Sequence, residues 1–361
     1  MSGFWRRQLD GPTNPATDAN WQAPPSRKGF FTDTSICIGC KACEVACKEW
    51  NHVPPKPGED TILGSSYDNT GHLGADTWRH VAFIEQTPQQ AAAARVTGLR
   101  DSQSVDLGMP RVGPPAARSL APTDALAPAG GVATTDALAE ASSGAASQLP
   151  GPPPGEPAVK WLMSSDVCKH CTHAGCLDVC PTGALFRTEF GTVVVQPDVC
   201  NGCGYCVAAC PFGVIDRRGD GTMTVIAGEE LRDPNHGVAQ KCTLCYDRIS
   251  VGDTPACAKT CPTTSIKFGD HDDMVARARE RLEVLHSKGV TEARLYGANP
   301  DDGVGGTGSV FLLMDEPEAY GLPPDPVVTT RALPEMFQRA GWAGTAMIAA
   351  VGIAFAVAGR A

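Results

Sequence analysis

The sequence predicts a mixed α and β protein, and three observations lead to that prediction. Its 361 residues are enough to bury a sizeable core and to form two or three domains. Short alternating runs are typical of strands and lie beside one amphipathic helical segment. The 39 glycines and 30 prolines favour turns and loops between these elements, and sixteen cysteines punctuate them in four tight groups.

The N-terminal residues 1–30 are polar and contain several prolines, so we expect a loosely draped extension. Arg6 and Arg7 form a twin arginine, but no apolar segment follows them. Two surface arginines are therefore a better interpretation than an export signal. The first regular element is predicted at 79–86, where apolar and polar residues alternate as in a strand.

The segment 87–157 differs sharply in composition from the rest of the chain. Ala, Pro, Gly, Ser and Thr dominate it, and it closes on Gly-Pro-Pro-Pro-Gly at 151–155. Such a segment buries too little apolar surface to offset the entropy of ordering. We predict a flexible insertion here, with an ordered arm draped over a partner as the alternative.

The second half of the chain contains further strand and helix signals. Short strands are predicted at 191–195, 222–226 and 309–314. A helix is predicted at 272–288, with Asp272 or Asp273 as its cap and Gly289 at its end. The apolar face of that helix is formed by Met274, Ala278, Leu282 and Leu285.

An uncharged segment ends the chain. The 20 residues between Arg339 and Arg360 carry no charge, and as a helix they span about 30 Å, the thickness of a bilayer core. Trp342 lies near one end, where an interfacial aromatic belongs. We therefore predict a transmembrane helix within 335–361, reached through a C-terminal extension and connector, 271–334. The alternative is a buried core helix, and arginines at both ends leave the orientation open.

The cysteine groups carry the chemistry. Group one is Cys37, Cys40, Cys43 and Cys47; group two is Cys168, Cys171, Cys176 and Cys180; group three is Cys200, Cys203, Cys206 and Cys210; group four is Cys242, Cys245, Cys257 and Cys261. Groups one and three have the spacing Cys-x2-Cys-x2-Cys-x3-Cys, and the other two lengthen only the middle interval. Bacterial ferredoxins hold [4Fe–4S] clusters with this run, so we predict sixteen metal ligands and four such clusters.

The run also predicts how the groups cooperate. Three cysteines on a tight loop hold one cluster, and the fourth is expected to start a helix that points away and to ligate a neighbouring cluster. Pro181, Pro211 and Pro262 follow the last cysteines and suit a helix start. Four groups therefore make two reciprocal pairs. A disulfide framework and zinc sites are the alternatives, but disulfide frameworks are typical of small secreted chains and zinc does not require this run.

The remaining residues indicate electron transfer without catalysis by this chain. Polar side chains beside the cysteines are expected to donate hydrogen bonds near cluster sulfurs; they are Lys169, His170, His173, Tyr205, Lys241 and Tyr246. The Gly-x-Gly-x-x-Gly run at 303–308 precedes a predicted strand, so it is interpreted as a turn and not as a dinucleotide site. A net charge of −10 without a basic stripe argues against nucleic-acid binding.

These motifs resemble the iron–sulfur β subunits of membrane-bound formate dehydrogenases, a branch of the electron-transfer subunits that serve molybdopterin oxidoreductases. The resemblance is carried by CIGCKACEVACKEWN at 37–51, CNGCGYC at 200–206, KCTLC at 241–245, PACAKTCP at 255–262, GVGGT at 303–307 and YGLP at 320–323. It covers nearly everything except the N-terminal extension and the insertion.

The resemblance implies an α+β fold of two ferredoxin-like modules. Module one is 31–86 with 236–270 and carries groups one and four, whereas module two is 158–235 and carries groups two and three. The implied ligand sets are Cys37, Cys40, Cys43 and Cys261; Cys242, Cys245, Cys257 and Cys47; Cys168, Cys171, Cys176 and Cys210; and Cys200, Cys203, Cys206 and Cys180.

The resemblance also implies partners and a location. A molybdenum- or tungsten-pterin catalytic subunit would oxidise formate, and electrons would pass through this chain to a membrane cytochrome b and on to quinone. The chain would be a single-pass protein of the cell membrane in contact with lipid, its peripheral part on the extracytoplasmic face, although the side is left open. The alternatives are the same relay in a hydrogenase or another molybdopterin oxidoreductase, and a metal-bound scaffold without a redox role.

Overall fold

The computed structural model describes residues 14–54, 68–103, 160–219, 223–226, 229–232 and 235–358. The strands are β1 (Lys28–Asp33), β2 (Arg79–Gln86), β3 (Lys160–Val167), β4 (Leu185–Arg187), β5 (Val193–Val195), β6 (Asp216–Arg217), β7 (Met223–Ile226), β8 (Glu229–Arg232), β9 (Ala239–Gln240), β10 (Ile266–Asp270), β11 (Arg294–Tyr296) and β12 (Ser309–Leu313). The helices are α1 (Pro15–Asp18), α2 (Ala42–Trp50), α3 (Pro88–Gln103), α4 (Gly175–Asp178), α5 (Tyr205–Ala209), α6 (Tyr246–Ile249), α7 (Ala256–Lys259), α8 (His271–Ser287) and α9 (Leu333–Ala358). The fold is therefore mixed α and β, as predicted.

Four strands form one sheet in the order β10–β1–β12–β11. β1 runs antiparallel to β10, with Lys28 opposite Asp270, and parallel to β12, with Phe30 opposite Ser309. β11 lies antiparallel to the other edge of β12. β12 is buried along its whole length, as expected for an apolar strand covered on both faces. Segments that are distant in sequence therefore meet in this sheet.

The two faces of the sheet bury different neighbours, because successive side chains of a strand point to opposite faces. On one face Phe31 and Leu312 pack in a cluster with the apolar residues of α8. On the other face Phe30, Phe311 and Leu313 belong to the cluster that contains several cysteines. The sheet thus separates the long helix from the cysteine loops.

A second and smaller core lies under groups two and three. Its buried residues are Ala174, Leu185, Val193, Cys206, Ile215 and Ala239. The strands around it are short antiparallel pairs, β4 with β5 and β6 with β9. The longer strands β2 and β3 form a separate antiparallel ribbon, with Arg79 opposite Val167 at one end and Gln86 opposite Lys160 at the other.

Several predicted elements are confirmed. The strands predicted at 79–86, 222–226 and 309–314 correspond to β2, β7 and β12, and part of 191–195 is β5. The predicted helix at 272–288 is α8, which buries Met274, Ala278 and Leu285. Its cap is different from the prediction, because Asp270 occupies the N-cap position and makes no side-chain capping hydrogen bond. Strands β11 and β12 lie within 271–334, so part of the predicted extension belongs to the main sheet.

The predicted insertion begins as an ordered helix. α3 covers 88–103, with Ala91, Ala92 and Ala94 buried. Arg294 fixes it to β11, since Nη2 donates hydrogen bonds to the Ala94 carbonyl and to Thr97 Oγ1 at 3.1 and 3.2 Å. The small alanine side chains allow this close packing, which composition alone does not reveal. The rest of the insertion, 104–157, lies outside the described residues, as does 1–13 of the predicted N-terminal extension.

The terminal helix is present as α9, but the transmembrane prediction is not supported. Among the described residues, no helix combines the length and the apolar character needed to cross a membrane. The polar pair Gln338 and Arg339 lies near the start of α9, and Gly341, Gly344 and Thr345 dilute its apolar side chains.

Candidate metal centres

All sixteen cysteines lie in the described ranges, and each is a free thiol. Within those ranges, no three or more His, Cys, Asp or Glu side chains are arranged to hold a single metal ion. The thiols lie on the four loops that their spacing defines, together with the short helices that follow those loops.

A residue of left-handed backbone conformation precedes the second cysteine of every group. It is a glycine in groups one and three, Gly39 at φ 66° and Gly202 at φ 72°. In groups two and four it is His170 at φ 45° and Leu244 at φ 61°. A side chain makes that conformation costly by about 1–2 kcal/mol, so these two loops need the surrounding packing to hold them. Groups with different spacing are therefore built on one shared turn.

In groups two, three and four the last cysteine follows a helix instead of starting one. Cys210 is the C-cap of α5, and Cys261 comes just after α7. The prolines that follow begin turns; they are Pro181, Pro211 and Pro262. The predicted helix start is wrong here, because the fixed φ of proline suits a turn as well as it suits the first turn of a helix.

Charge interactions between neighbouring thiols divide the cysteines into four sets. In each set, burial raises the pKa of one thiol and the charges of its three neighbours raise it further; these central thiols are Cys37, Cys47, Cys171 and Cys206. The first set is Cys37, Cys40, Cys43 and Cys261; the second is Cys47, Cys242, Cys245 and Cys257; the third is Cys168, Cys171, Cys176 and Cys210; the fourth is Cys180, Cys200, Cys203 and Cys206. Each set takes three cysteines from one group and the last cysteine of another.

The four sets follow one another in a row. Charge interactions between sets link Cys43 to Cys257, Cys242 to Cys168, and Cys176 to Cys206. These links join the first set to the second, the second to the third and the third to the fourth. The second and third sets therefore meet where group four approaches group two.

The ends of this row are open to solvent, and the second set is enclosed. Cys40 of the first set and Cys203 of the fourth are exposed, whereas Cys242, Cys257 and Cys168 are buried. Water is thus kept from the second set, all four of whose thiols are buried, and a low dielectric there strengthens every charge interaction. The outer sets lie where a partner protein can approach them.

The buried thiols hold their protons tightly. Burial raises the pKa of Cys176 to about 12 and that of Cys206 to about 11. Burial also raises the pKa of Cys257, although the nearby guanidinium of Arg79 acts in the opposite direction. Because thiolate and not thiol binds metal, a metal centre here must displace these protons, and binding is coupled to proton release.

The polar residues that the sequence singles out contact the loop backbone and carboxylates; the Tyr246 hydroxyl, for example, donates to Glu189. Lys241 is 2% exposed, and its Nζ donates to the carbonyls of Val193 and Cys242. Lys169 is 1% exposed and pairs with Asp166. These lysines bring positive charge beside the cysteines while their hydrogen bonds hold the loops.

Sequence reasoning missed Arg79 and Ser165. Arg79 is 1% exposed at the start of β2, and Ser165 is 1% exposed on β3. Ser165 Oγ lies 3.2 Å from Cys43 Sγ and accepts a hydrogen bond of 2.9 Å from Arg79 Nη1. No spacing rule links these residues to the cysteines, so only their burial in the folded chain reveals them.

The glycine-rich run at 303–308 supports the group-two loop. Its amides are engaged within the run, since Asp302 Oδ1 accepts hydrogen bonds from the Val304 and Gly306 amides at 2.9 and 2.8 Å. The carbonyls of Gly306 and Val304 accept hydrogen bonds from the Thr172 and His173 amides at 3.0 and 2.8 Å. The strand β12 follows the run, so it is a turn before a strand, as predicted.

Comparison with known proteins finds a matching family model and relatives over most of the chain. The family model of a 4Fe-4S dicluster domain matches residues 159–226 and 229–271. The formate dehydrogenase iron-sulfur subunit of Haemophilus influenzae is 33% identical over 300 residues, which cover 82% of this chain and 68% of that protein. The iron-sulfur subunit of the nitrate-inducible formate dehydrogenase of Escherichia coli is 33% identical over 302 residues, 82% of this chain and 73% of that protein. The thiosulfate reductase electron transfer subunit PhsB of Salmonella typhi is 45% identical over 107 residues, 29% of this chain and 48% of that protein.

Proposed function

The chain belongs to the iron–sulfur subunits of formate dehydrogenases, and we propose that it relays electrons in such a complex through four [4Fe–4S] clusters. The role is electron transfer, and the chain is not catalytic by itself. The observation that carries the proposal is the row of four sets of four thiols. We propose these four sets as the ligand sets.

The residues fit clusters of this kind. Every set offers four sulfurs, the donor that iron–sulfur clusters require. Buried cations lie beside the thiols and offset negative charge; they are Arg79, Lys169 and Lys241. A bound [4Fe–4S] cluster supplies a centre that takes up and releases one electron. The chain holds such centres in a row, keeps water from the second and brings the first and fourth near the surface.

Metal analysis of the purified complex tests the cluster count. We expect about sixteen irons and a similar amount of acid-labile sulfide per chain, from four irons in each cluster. Near-zero iron would support the non-redox scaffold and contradict the proposal. About eight irons would show that only one reciprocal pair is loaded.

The substrate of the complex is the next part of the proposal. We propose that a molybdenum- or tungsten-pterin catalytic subunit oxidises formate and passes electrons into this chain, because the long alignments are with formate dehydrogenase subunits. The native complex should reduce a dye with formate as electron donor. Dye reduction with hydrogen alone would favour a hydrogenase complex.

A second candidate is the same relay in another reductase complex. It is favoured by the 45% identity with the electron transfer subunit of a thiosulfate reductase, higher than the identity with the formate dehydrogenase subunits. That match covers only 29% of the chain, whereas the matches with the formate dehydrogenase subunits cover 82%. Thiosulfate-dependent oxidation of a reduced dye, without formate activity, would establish this candidate.

We also propose that α9 carries the contact with a cytochrome b subunit and lipid at the cell membrane, with the cluster-bearing part on the extracytoplasmic face. Support comes from its exposed large apolar side chains, including Phe337 at 70%, Trp342 at 72%, Ile348 at 75% and Phe355 at 76%. An exposed apolar surface of this kind is typical of an interaction site. Truncation after Thr330 should release the chain from membranes. Protease added to spheroplasts should digest the cluster-bearing part, because that part lies on the extracytoplasmic face. Unchanged membrane attachment after truncation would contradict the proposed contact.

A further inference from the structure

Arg79 is a buried cation whose protein partners satisfy only part of its guanidinium. Its side chain is among the largest that are fully buried, with 1% of the residue exposed. Nη1 donates hydrogen bonds to the Ser165 carbonyl at 3.3 Å and to Ser165 Oγ at 2.9 Å. Among the described residues, Nε and Nη2 have no hydrogen-bond partner, although both are inaccessible to solvent.

Burying a positive charge with unpaired N–H groups costs free energy of folding unless an anion compensates it. The ring of Phe30, whose centroid lies 4.9 Å from Cζ, offers an aromatic face and offsets part of the cost. No described carboxylate forms an ion pair with this guanidinium. The negative charge must therefore come from another source.

The cysteines of the first and second sets supply that charge once they are deprotonated. Although burial alone would lower the pKa of Arg79, the charges of Cys257, Cys43, Cys242 and Cys47 raise it above its usual value. Three of these residues belong to the second set and one to the first. Phe30, whose ring lies against the Arg79 guanidinium, packs in the cluster that contains Cys43, Cys242 and Cys257, so Arg79 lies beside thiols of both sets.

Ser165 connects Arg79 with the first set. Arginine only donates hydrogen bonds, so Ser165 Oγ must accept from Nη1. The single hydroxyl proton is then free to be donated to Cys43 Sγ, 3.2 Å away, because a metal-bound thiolate carries no proton. One guanidinium thereby orients a second donor toward a second set.

We propose that Arg79 is the counter-charge of the first and second clusters and sets their reduction potentials, acting directly on the second and through Ser165 on the first. Adding an electron makes a cluster more negative. A buried positive charge and a hydrogen bond to sulfur both favour the reduced state, so they raise the potential. Arg79 is a positioning residue for Ser165 and an electrostatic one for the second set. The inference rests on the proposed clusters.

The test is a redox titration of the purified complex, followed by electron paramagnetic resonance. In Arg79→Gln we expect the reduction equilibrium of the second cluster to become at least tenfold less favourable, which corresponds to about 59 mV for one electron. The first cluster should shift less and in the same direction. The third and fourth clusters should stay unchanged and serve as internal references.

Three further variants separate the charge from the packing. Ser165→Ala should lower the potential of the first cluster alone. Arg79→Lys keeps the positive charge but loses the planar guanidinium with its several N–H donors. It should therefore shift the reduction potential of the second cluster less than Arg79→Gln does. Arg279→Gln removes the same charge from an exposed position on α8 and should leave all four potentials unchanged.

The outcomes separate this inference from the proposed function. Unchanged first and second potentials in Arg79→Gln, with full iron content, would overturn the inference and leave the relay intact. Equal shifts of all four clusters would overturn it as well. An unmodified complex without iron would defeat both. If Arg79→Gln does not assemble its clusters, the inference is tested with Ser165→Ala and Arg79→Lys instead. It fails if Ser165→Ala does not lower the potential of the first cluster and Arg79→Lys does not shift that of the second.

Discussion

The two reciprocal pairs of cysteine groups use nearly the same spacing in two very different settings. The pair formed by groups one and four lies against the four-stranded sheet, beside Phe30, Phe311 and Leu313. The pair formed by groups two and three has short hairpins and a small core of its own, and only its Cys168 and Cys210 also reach the main cluster. Five thiols of the former pair are buried, Cys43, Cys47, Cys242, Cys245 and Cys257, against Cys168 and Cys206 in the latter. The motif thus determines which metal centre is held, and the scaffold determines its surroundings.

The largest contrast is expected from removing one ligand in each setting. Cys257→Ser should lose about four irons per chain and also lower the melting temperature, because a hydroxyl replaces a buried ligand in the main core. Cys203→Ser, at an exposed position, should affect the fourth cluster with little effect on thermal stability. Iron analysis and thermal unfolding check both. Equal destabilisation by the two variants would break the comparison.

Truncating one core leucine in each setting compares the two cores directly. Leu312→Ala should lower the free energy of unfolding by about 2–5 kcal/mol, because Leu312 is fully buried in the centre of the sheet. The loss of unfolding free energy for Leu185→Ala, in the hairpin core, should lie at the lower end of that range, since a short hairpin can collapse around the cavity. Denaturant unfolding gives both values. A larger loss for Leu185→Ala would show that the small core is the stronger one.

Glycine substitution tests the connection between the two settings. A Cβ at Gly305 would lie 2.5 Å from His173 Cδ2, at φ 72°. Gly305→Ala should therefore cost about 1–3 kcal/mol and displace the group-two loop. Gly183→Ala is the matched control, since it has φ 68° and open space around its Cβ. It should show only the smaller conformational cost, and a control as disruptive as Gly305→Ala would contradict the steric argument.

The smallest effect concerns pH at the edge of the main sheet. Hydrogen bonds from Lys28 and Ser26 lower the pKa of Asp270 from its usual 3.8. The resulting stabilisation is present above about pH 3.8 and is lost as the pH falls through the lowered pKa. The carboxylate is 42% exposed, so solvent screening limits its contribution to at most about 1 kcal/mol. In Asp270→Asn the free energy of unfolding should depend less on pH below about pH 3.8. The control Asp325→Asn, at an exposed position, should leave the pH dependence unchanged.

The cysteine loops were the most predictable part of the molecule, because metal ligation imposes spacing directly on the sequence. Strands β2 and β12 were also predictable, since alternation and apolar runs report burial. The sheet order was not, because β1, β10 and β12 come from separate parts of the chain and their pairing leaves no local signal. Helix α3 was missed because alanine-rich composition resembles that of a flexible segment. Arg79 was missed because a buried arginine looks like a surface one until its neighbours are known.

The pairing of β1 with β12 has a consequence for biosynthesis. Phe30 leaves the ribosome long before its neighbour Ser309, by about 15–60 s at about 5–20 residues per second. Groups two and three are close together in the sequence, but the group-two loop also needs the late 303–308 run, whose carbonyls accept hydrogen bonds from the Thr172 and His173 amides. The first set needs Cys261, and its sheet needs β12, so iron delivery to that set must await nearly complete translation. The earliest cysteines to be synthesised, those of group one, are therefore expected to be among the last to be filled.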